Sequence, residues 1–345
     1  PFDKAPSQRF RFEQYLPFLE ENKIEYTIHS FVSKATWDIL YLEGNHLRKI
    51  IGVFSGFLKR FVHVLQCISS DYVFVHREIT PIGPPVFEWV VAKILRKKII
   101  YDFDDAIWLA NTSKENMIVA GLKAHSKASK IAKWSYKSSC GNEFLRQYAE
   151  DKGCREAVFN PTTINLAKQG AQLKQHNQKE VVTLGWTGTH STMRFMDLII
   201  EDIRAVAQNR KIKFLVISNH PPVYEDDFIE YKKWTKESEV SDLLLFDIGL
   251  MPLSEDKWSK GKCGFKALQY MSLGIPTLLS PVGVNTDIVT DNVSGLFCTD
   301  NWQQNITKLI DSVDERKRIG ERGYSVIKDT YSTHANKHNF LNLFS

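Results

Sequence analysis

The chain has 345 residues, 43% of them hydrophobic and 25% charged, which exceeds one comfortable core and points to two globular domains. A formal net charge of +5 is too small to argue for a nucleic-acid partner. The cysteines Cys67, Cys140, Cys154, Cys263 and Cys298 are scattered and form no Cys-x-x-Cys pair, which argues against a disulfide scaffold or thiolate zinc site and for a reducing, cytoplasmic setting.

In chain order, the opening residues read as a loop that should follow a strand, so a first strand is expected to be missing. Residues 8–22 have helical spacing and 25–32 read as a strand. Residues 47–65 carry an apolar stripe of Leu47, Ile50, Ile51, Phe54, Phe57, Leu58, Phe61 and Leu65, with Arg48, Lys49, Lys59 and Arg60 off it. Such a helix packs on a sheet or lies on the anionic inner face of a membrane; packing is the favoured reading. No unbroken run of about 18 apolar residues exists, so no membrane span is expected. Strands follow at 71–77 and 98–103, with helices at 86–95, 116–138 and 142–152. Residues 164–180, rich in Gln and Lys, read as a linker. Beyond it come strands at 181–186, 213–218, 246–251 and 276–279, and helices at 192–208, 263–273 and from 301. This alternation predicts an α/β chain of two Rossmann-like, doubly wound domains. They are expected at 1–163 and 181–325, with a helix at 326–345 packing back on the first.

Two stretches carry chemistry. In 247–295 a strand leads into a loop with Lys260, Gly261, Lys262 and Gly264, then a helix containing Lys266 and Gln269. Lysines beside a helix N-terminus favour an anion. A second turn, 280–285, ends in Asn285 at the carboxyl edge of a sheet, where open α/β sheets bind ligands. The turn Thr187-Gly188-Thr189 could cap its helix or meet phosphate oxygens. In the first half, Asp102, Asp104 and Asp105 gather at a strand end. Like charges repel, so a cleft role is expected in preference to helix capping. Asp102 is in phase with Asp104, and His76 and Glu78 end the preceding strand. The same Asp-x-Asp could alternatively hold a divalent ion.

The segment KALQYMSLGIPTLLSPVGVN resembles the donor region of family-4 (group 1) glycosyltransferases of the GT-B fold, with weaker likeness at APSQRFRFEQYLPFL, KKIIYDFDDAIW, SSCGNEFLRQYA and LGWTGTHST. The family's hallmark there is E-x7-E before a Gly-x-Pro turn. The resemblance implies two domains facing a cleft, a nucleotide-sugar donor held by the second, and retaining transfer to a glycan, lipid-linked or small-molecule hydroxyl with no metal or other cofactor. It places the donor on Thr187, Gly188, Thr189, Lys262, Gly264, Lys266, Gln269 and Asn285. It places catalysis on Asp104 and Asp105 with Asp102 and His76, and the acceptor near Ser7, Arg9 and Arg11. The second Glu of the motif falls on Gln269, whose amide can still bond a hydroxyl. The first falls on Gly261, which leaves a non-catalytic GT-B-like binding protein as the rival reading.

Overall fold

The computed structural model describes residues 1–40, 42–109, 126–169 and 172–345. They form two compact units, residues 1–161 with 337–345, and residues 162–336.

The first unit is built on four parallel strands in the order β1 (Tyr72–His76), β2 (Lys98–Phe103), β3 (Lys137–Cys140) and β4 (Ala157–Phe159). Among the described residues these strands advance in one direction. The β2 sequence KIIYDF is buried from its second residue onward, as a strand covered on both faces should be. The sequence reading missed β3, whose KSSC looks like loop. Its serines are buried because they are bonded: Ser139 Oγ donates to Asp102 at 2.7 Å, and Cys154 Sγ reaches Ser138 Oγ at 3.0 Å. Residues 25–32, expected as a strand, have no strand partner among the described residues. They run beside the helix His46–Gln66, where Arg60 donates to the His29 carbonyl at 2.9 Å.

That helix corrects a second expectation. Its inward face is Gly52, Gly56, Arg60 and Val64, and the apolar stripe points outward. The two glycines allow the close approach: a Cβ on Gly52 would stand 2.3 Å from Thr36, and one on Gly56 2.8 Å from the Phe31 carbonyl. Phe57, placed on the stripe by spacing, turns inward to meet Phe31 edge-on at 5.3 Å. The helix is also long and apolar enough by composition to cross a membrane, although charged residues interrupt its apolar run. Of the helix expected at 116–138, residues 116–125 lie outside the described residues, and Lys127–Trp134 is helical.

Residues 337–345 complete the first unit's core. Phe340 stacks on Tyr15 with centroids 4.4 Å apart and planes at 7°, among Leu16, Leu19, Ile100 and Leu343.

The second unit is a six-stranded parallel sheet of β5 (Val182–Gly188), β6 (Ile212–Ser218), β7 (Ile229–Lys233), β8 (Ile248–Met251), β9 (Thr277–Leu279) and β10 (Leu296–Phe297). Its order is β10-β9-β8-β5-β6-β7. Read from β7, this is the Rossmann order 3-2-1-4-5-6, with the winding reversed between β5 and β8. Leu184, Phe214, Val216, Ile248 and Leu250 fill one face against Ile203, Ile306 and Leu309. Strand β7, IEYKK, escaped the sequence reading because it is a lysine-bearing edge, exposed along most of its length, the composition that blunts edge pairing.

The expected linker at 164–180 is not free-standing; its residues 170 and 171 lie outside the described residues. Leu166–Gln169 is helical, Lys174 pairs with buried Asp247 at 2.9 Å, and His176 Nε2 meets the Gly274 carbonyl at 2.9 Å. Lys174 and His176 thus tie a mostly exposed polar segment to the second unit.

Candidate functional site

Each unit has one polar centre at the carboxyl ends of its strands. In the first unit, parallel pairing sets His76 of β1 opposite Asp102 of β2, and Asp102 opposite Ser139 of β3. The helix Pro6–Arg11 brings Ser7 and Arg11 over them. Asp102 is fully buried and saturated. It accepts from Arg11 at 2.5 and 3.3 Å, from Ser139 Oγ at 2.7 Å, and meets His76 Nδ1 at 2.8 Å. Burial alone would raise its pKa; the Arg11 guanidinium and the His76 bond outweigh that and hold it at about 2. Arg11 gives a further bond to the Asn160 carbonyl at 2.5 Å.

Asp104 sits two residues on, with its carboxylate 12% exposed. It accepts from Ser7 Oγ at 2.6 Å and from Arg77 Nε at 2.8 Å. Burial raises its pKa and Arg77, His76 and Arg11 lower it further, so the acid is held well below the usual carboxylate range. Ser7 Oγ also lies 2.8 Å from His76 Nε2. Both carboxylates are acceptors, and the single Ser7 proton goes to Asp104. Asp104, Ser7, His76 and Asp102 thus form one continuous hydrogen-bonded network. Arg77 reaches this position from a left-handed backbone, φ +60°, a conformation that costs a non-glycine residue roughly 1–2 kcal/mol. Its amide donates to the Asp102 carbonyl at 2.7 Å.

The premise of unrelieved repulsion between the clustered aspartates is therefore corrected. Arg11 and Arg77 each neutralise one of them, and neither pairing has a signature in linear spacing. Asp105 is half-buried, and its Oδ1 accepts from the amide of Ala106 at 2.9 Å, as a turn residue does. Arg11, expected on the acceptor side, is only 1% exposed and spends its donors inside the fold. Arg9 lies nearer the surface, 3.9 Å from Asp3. Glu78 pairs with Lys127 at 3.3 Å. Both oxygens of Asp102 are occupied by protein donors, which removes half of the Asp-x-Asp pair from the alternative reading as a metal site.

In the second unit the centre lies at the winding reversal. Near the end of β5 stands Thr187, whose amide donates to Tyr270 Oη at 2.9 Å and whose hydroxyl is spent on the Ile217 carbonyl at 3.1 Å. A Cβ on Gly188 would strike Trp186 at 2.4 Å. Thr189 is exposed, and its amide donates to Thr192 Oγ1 at 3.2 Å in a capping box. After β8, Asp256 caps the short helix Lys257–Lys260 through the Ser259 amide at 2.8 Å. Gly264 then takes φ +67° and opens the helix Phe265–Ser272. A Cβ there would stand 2.2 Å from Ile288 Cδ1.

Three cations near this centre lie over aromatic faces. Lys262 Nζ lies 3.6 Å from the Trp258 ring centre, the Arg194 guanidinium carbon lies 4.9 Å from the same ring, and Lys266 Nζ is 5.4 Å from Trp186. Phe195 stacks on Trp258 at 5.7 Å. Arg194 and Trp258 were missed by sequence reading, since they come from separate segments that meet only in the fold. Gln269 is buried on the helix Phe265–Ser272. Asn285 is buried too; its Nδ2 donates to the Ser280 carbonyl at 2.9 Å, while Oδ1 has no partner. Among the described residues no group of three His, Cys, Asp or Glu side chains has metal-holding proximity.

No family model and no curated protein matches the chain. Solved structures do. Anabaena HepE in complex with UDP and glucose aligns with a TM-score of 0.61 at 11% identity, over 82% of this chain and 80% of that one. Sucrose-phosphate synthase from Thermosynechococcus elongatus aligns at 0.59 and 12% identity, over 86% and 78%. The lipopolysaccharide outer core galactosyltransferase WaaB aligns at 0.52 and 13%, over 83% and 80%. With the two parallel-sheet units, these likenesses give the chain the GT-B architecture of two Rossmann-like domains.

Proposed function

We propose that the chain is a glycosyltransferase moving a sugar from a nucleotide-sugar donor to a hydroxyl of a glycan or lipid-linked acceptor in the cytoplasm, with retention and without a metal ion. One observation carries the reading: Arg194 and Lys262 converge on one Trp258 ring beside the winding reversal of the second sheet. Two like charges gathered at that edge are suited to a diphosphate, the leaving group of such a transfer. The likeness to HepE, whose structure holds UDP and glucose, supports the same ligand class. Asn285 Oδ1, buried and unpartnered, is an acceptor suited to a donor hydroxyl.

In this reading the second unit holds the donor, and Ser7, His76 and Asp104 of the first bind acceptor hydroxyls. As the bond from C1 to the diphosphate breaks, positive charge grows at C1 and negative charge on the diphosphate. Arg194, Lys262 and Lys266 stabilise the latter. The acceptor oxygen then bonds to C1, and its proton passes to a diphosphate oxygen, so no separate base is required. Asp104 holds Ser7 and Arg77 in place at the first unit's centre, and Asp102 orients His76 without touching substrate.

Turnover of UDP-, GDP- and ADP-sugars, read as released diphosphate with and without acceptors, tests this. Activity should survive EDTA. Loss with EDTA and rescue by Mn²⁺ would restore the metal-dependent alternative, and binding of diphosphates with no turnover on any donor would favour the non-catalytic one.

A further inference from the structure

We infer that the helix His46–Gln66 docks the protein on an anionic membrane surface, with a lipid phosphate headgroup seated in the cavity at its flank. Leu47, Ile51, Phe54, Leu58, Phe61 and Leu65 lie on one side of the helix, each 53% to 70% exposed. Single exposed apolar residues are ordinary; a stripe along about five turns of one helix is a contact surface. The neighbouring helix, joined by the Phe61–Phe87 ring contact at 5.1 Å, adds exposed Trp89, a residue suited to the membrane interface.

Charge selects the occupant. The helix carries Arg48, Lys49, Lys59 and Arg60 and no acidic residue. On the flank of the stripe is a cavity of about 260 Å³ lined by Ser33, Thr36, Arg48, Ser55 and Lys59, with Ile51 at its apolar rim. Two cations and the Ser55 hydroxyl suit a phosphate, beside the mutually bonded Ser33 and Thr36 hydroxyls, and exposed Ile51 adds an apolar contact for the acyl chain. A second copy of the chain fits poorly, because a two-fold contact would oppose like charges with no acid on the helix to offset them. Spanning the bilayer fits poorly as well. Arg60 is buried and bonded to the carbonyls of His29 and Ile79 at 2.9 and 3.0 Å, and Gly52 and Gly56 are packed on protein. The helix therefore offers one side only and lies in the interface plane.

Flotation with phosphatidylcholine vesicles, with and without phosphatidylglycerol, tests the docking by binding alone, independently of any sugar transfer. The full chain should float with anionic vesicles and less so as salt rises. Phe54→Asp with Leu58→Asp should lower partitioning at least tenfold at an unchanged melting temperature. Arg48→Ala with Lys59→Ala should lower it roughly 25-fold on anionic vesicles, about fivefold per basic residue. No binding to anionic vesicles, or equal binding to neutral ones, would overturn the inference. So would a dimer in light scattering that the Phe54/Leu58 variant dissolves while vesicles remain unbound.

Discussion

Replacing Asp102 by Asn would keep the shape of the first unit's centre and remove one buried charge. The Arg11 guanidinium, whose side chain is fully buried against Asp102 at 2.5 Å, would then have no anion. Removing one partner of a buried pair costs about 3–5 kcal/mol, because the other charge stays desolvated. An independent route gives a similar scale. A carboxyl held at about 2 instead of its ordinary 3.8 contributes roughly 2–3 kcal/mol at neutral pH. The Asn amide adds a donor facing Arg11 or His76, which are themselves donors, so the upper part of the range applies. For a unit of this size that is a fall in Tm on the order of 10 °C. Urea unfolding at pH 7, followed by Trp fluorescence, measures it. The folded pKa is depressed, so the wild-type advantage is present above the unfolded value and lost as pH falls through the folded one. The gap between wild type and Asp102→Asn should therefore be full at pH 5 and shrink between about pH 4 and 2. Equal stability of the two proteins at pH 7 would refute the buried pair as an energetic element of this unit.

Asp104→Asn should lower turnover by roughly 10²-fold, because Ser7 and Arg77 lose the carboxylate that positions them. Nucleoside diphosphate affinity should hold, and some stability should be lost because Arg77 loses its anion; steady-state kinetics, calorimetry and thermal melts separate these effects. Lys262→Ala and Arg194→Ala should each weaken diphosphate binding by about 1–3 kcal/mol, read by titration calorimetry, and an unchanged Kd in both folded variants would remove the anion site. Gly264→Ala should destabilise the second unit in a thermal melt, since the residue sits at φ +67° and its Cβ would overlap Ile288.

What the sequence made legible was periodic or local. Strands such as KIIYDF and IKFLVIS announce themselves by apolar runs, and the glycine and proline after Leu273 mark the end of a helix. What it hid was relational. KSSC becomes a strand because Asp102 and Cys154 give its serines partners, and IEYKK because one neighbour suffices for an edge. The aspartates at 102 and 104 stood out, but the arginines that neutralise them lie 91 and 27 residues away along the chain. Spacing alone likewise showed that the helix at 46–66 was amphipathic. It could not show which side the protein would claim, because Gly52, Gly56 and Arg60 decide that through contacts with residues 29–36.

The stacking of Phe340 on Tyr15 sets an order of events during synthesis. Residues 1–161 leave the ribosome first, yet their core lacks Phe340 and Leu343 until the segment 337–345 emerges. At about 5–20 residues per second, the wait is on the order of ten seconds or more. Through that interval Tyr15, Leu16 and Leu19 stand without their last covering layer, while residues 162–336 can close their own sheet as they appear. The unit synthesised before the other is thus the one whose core closes last.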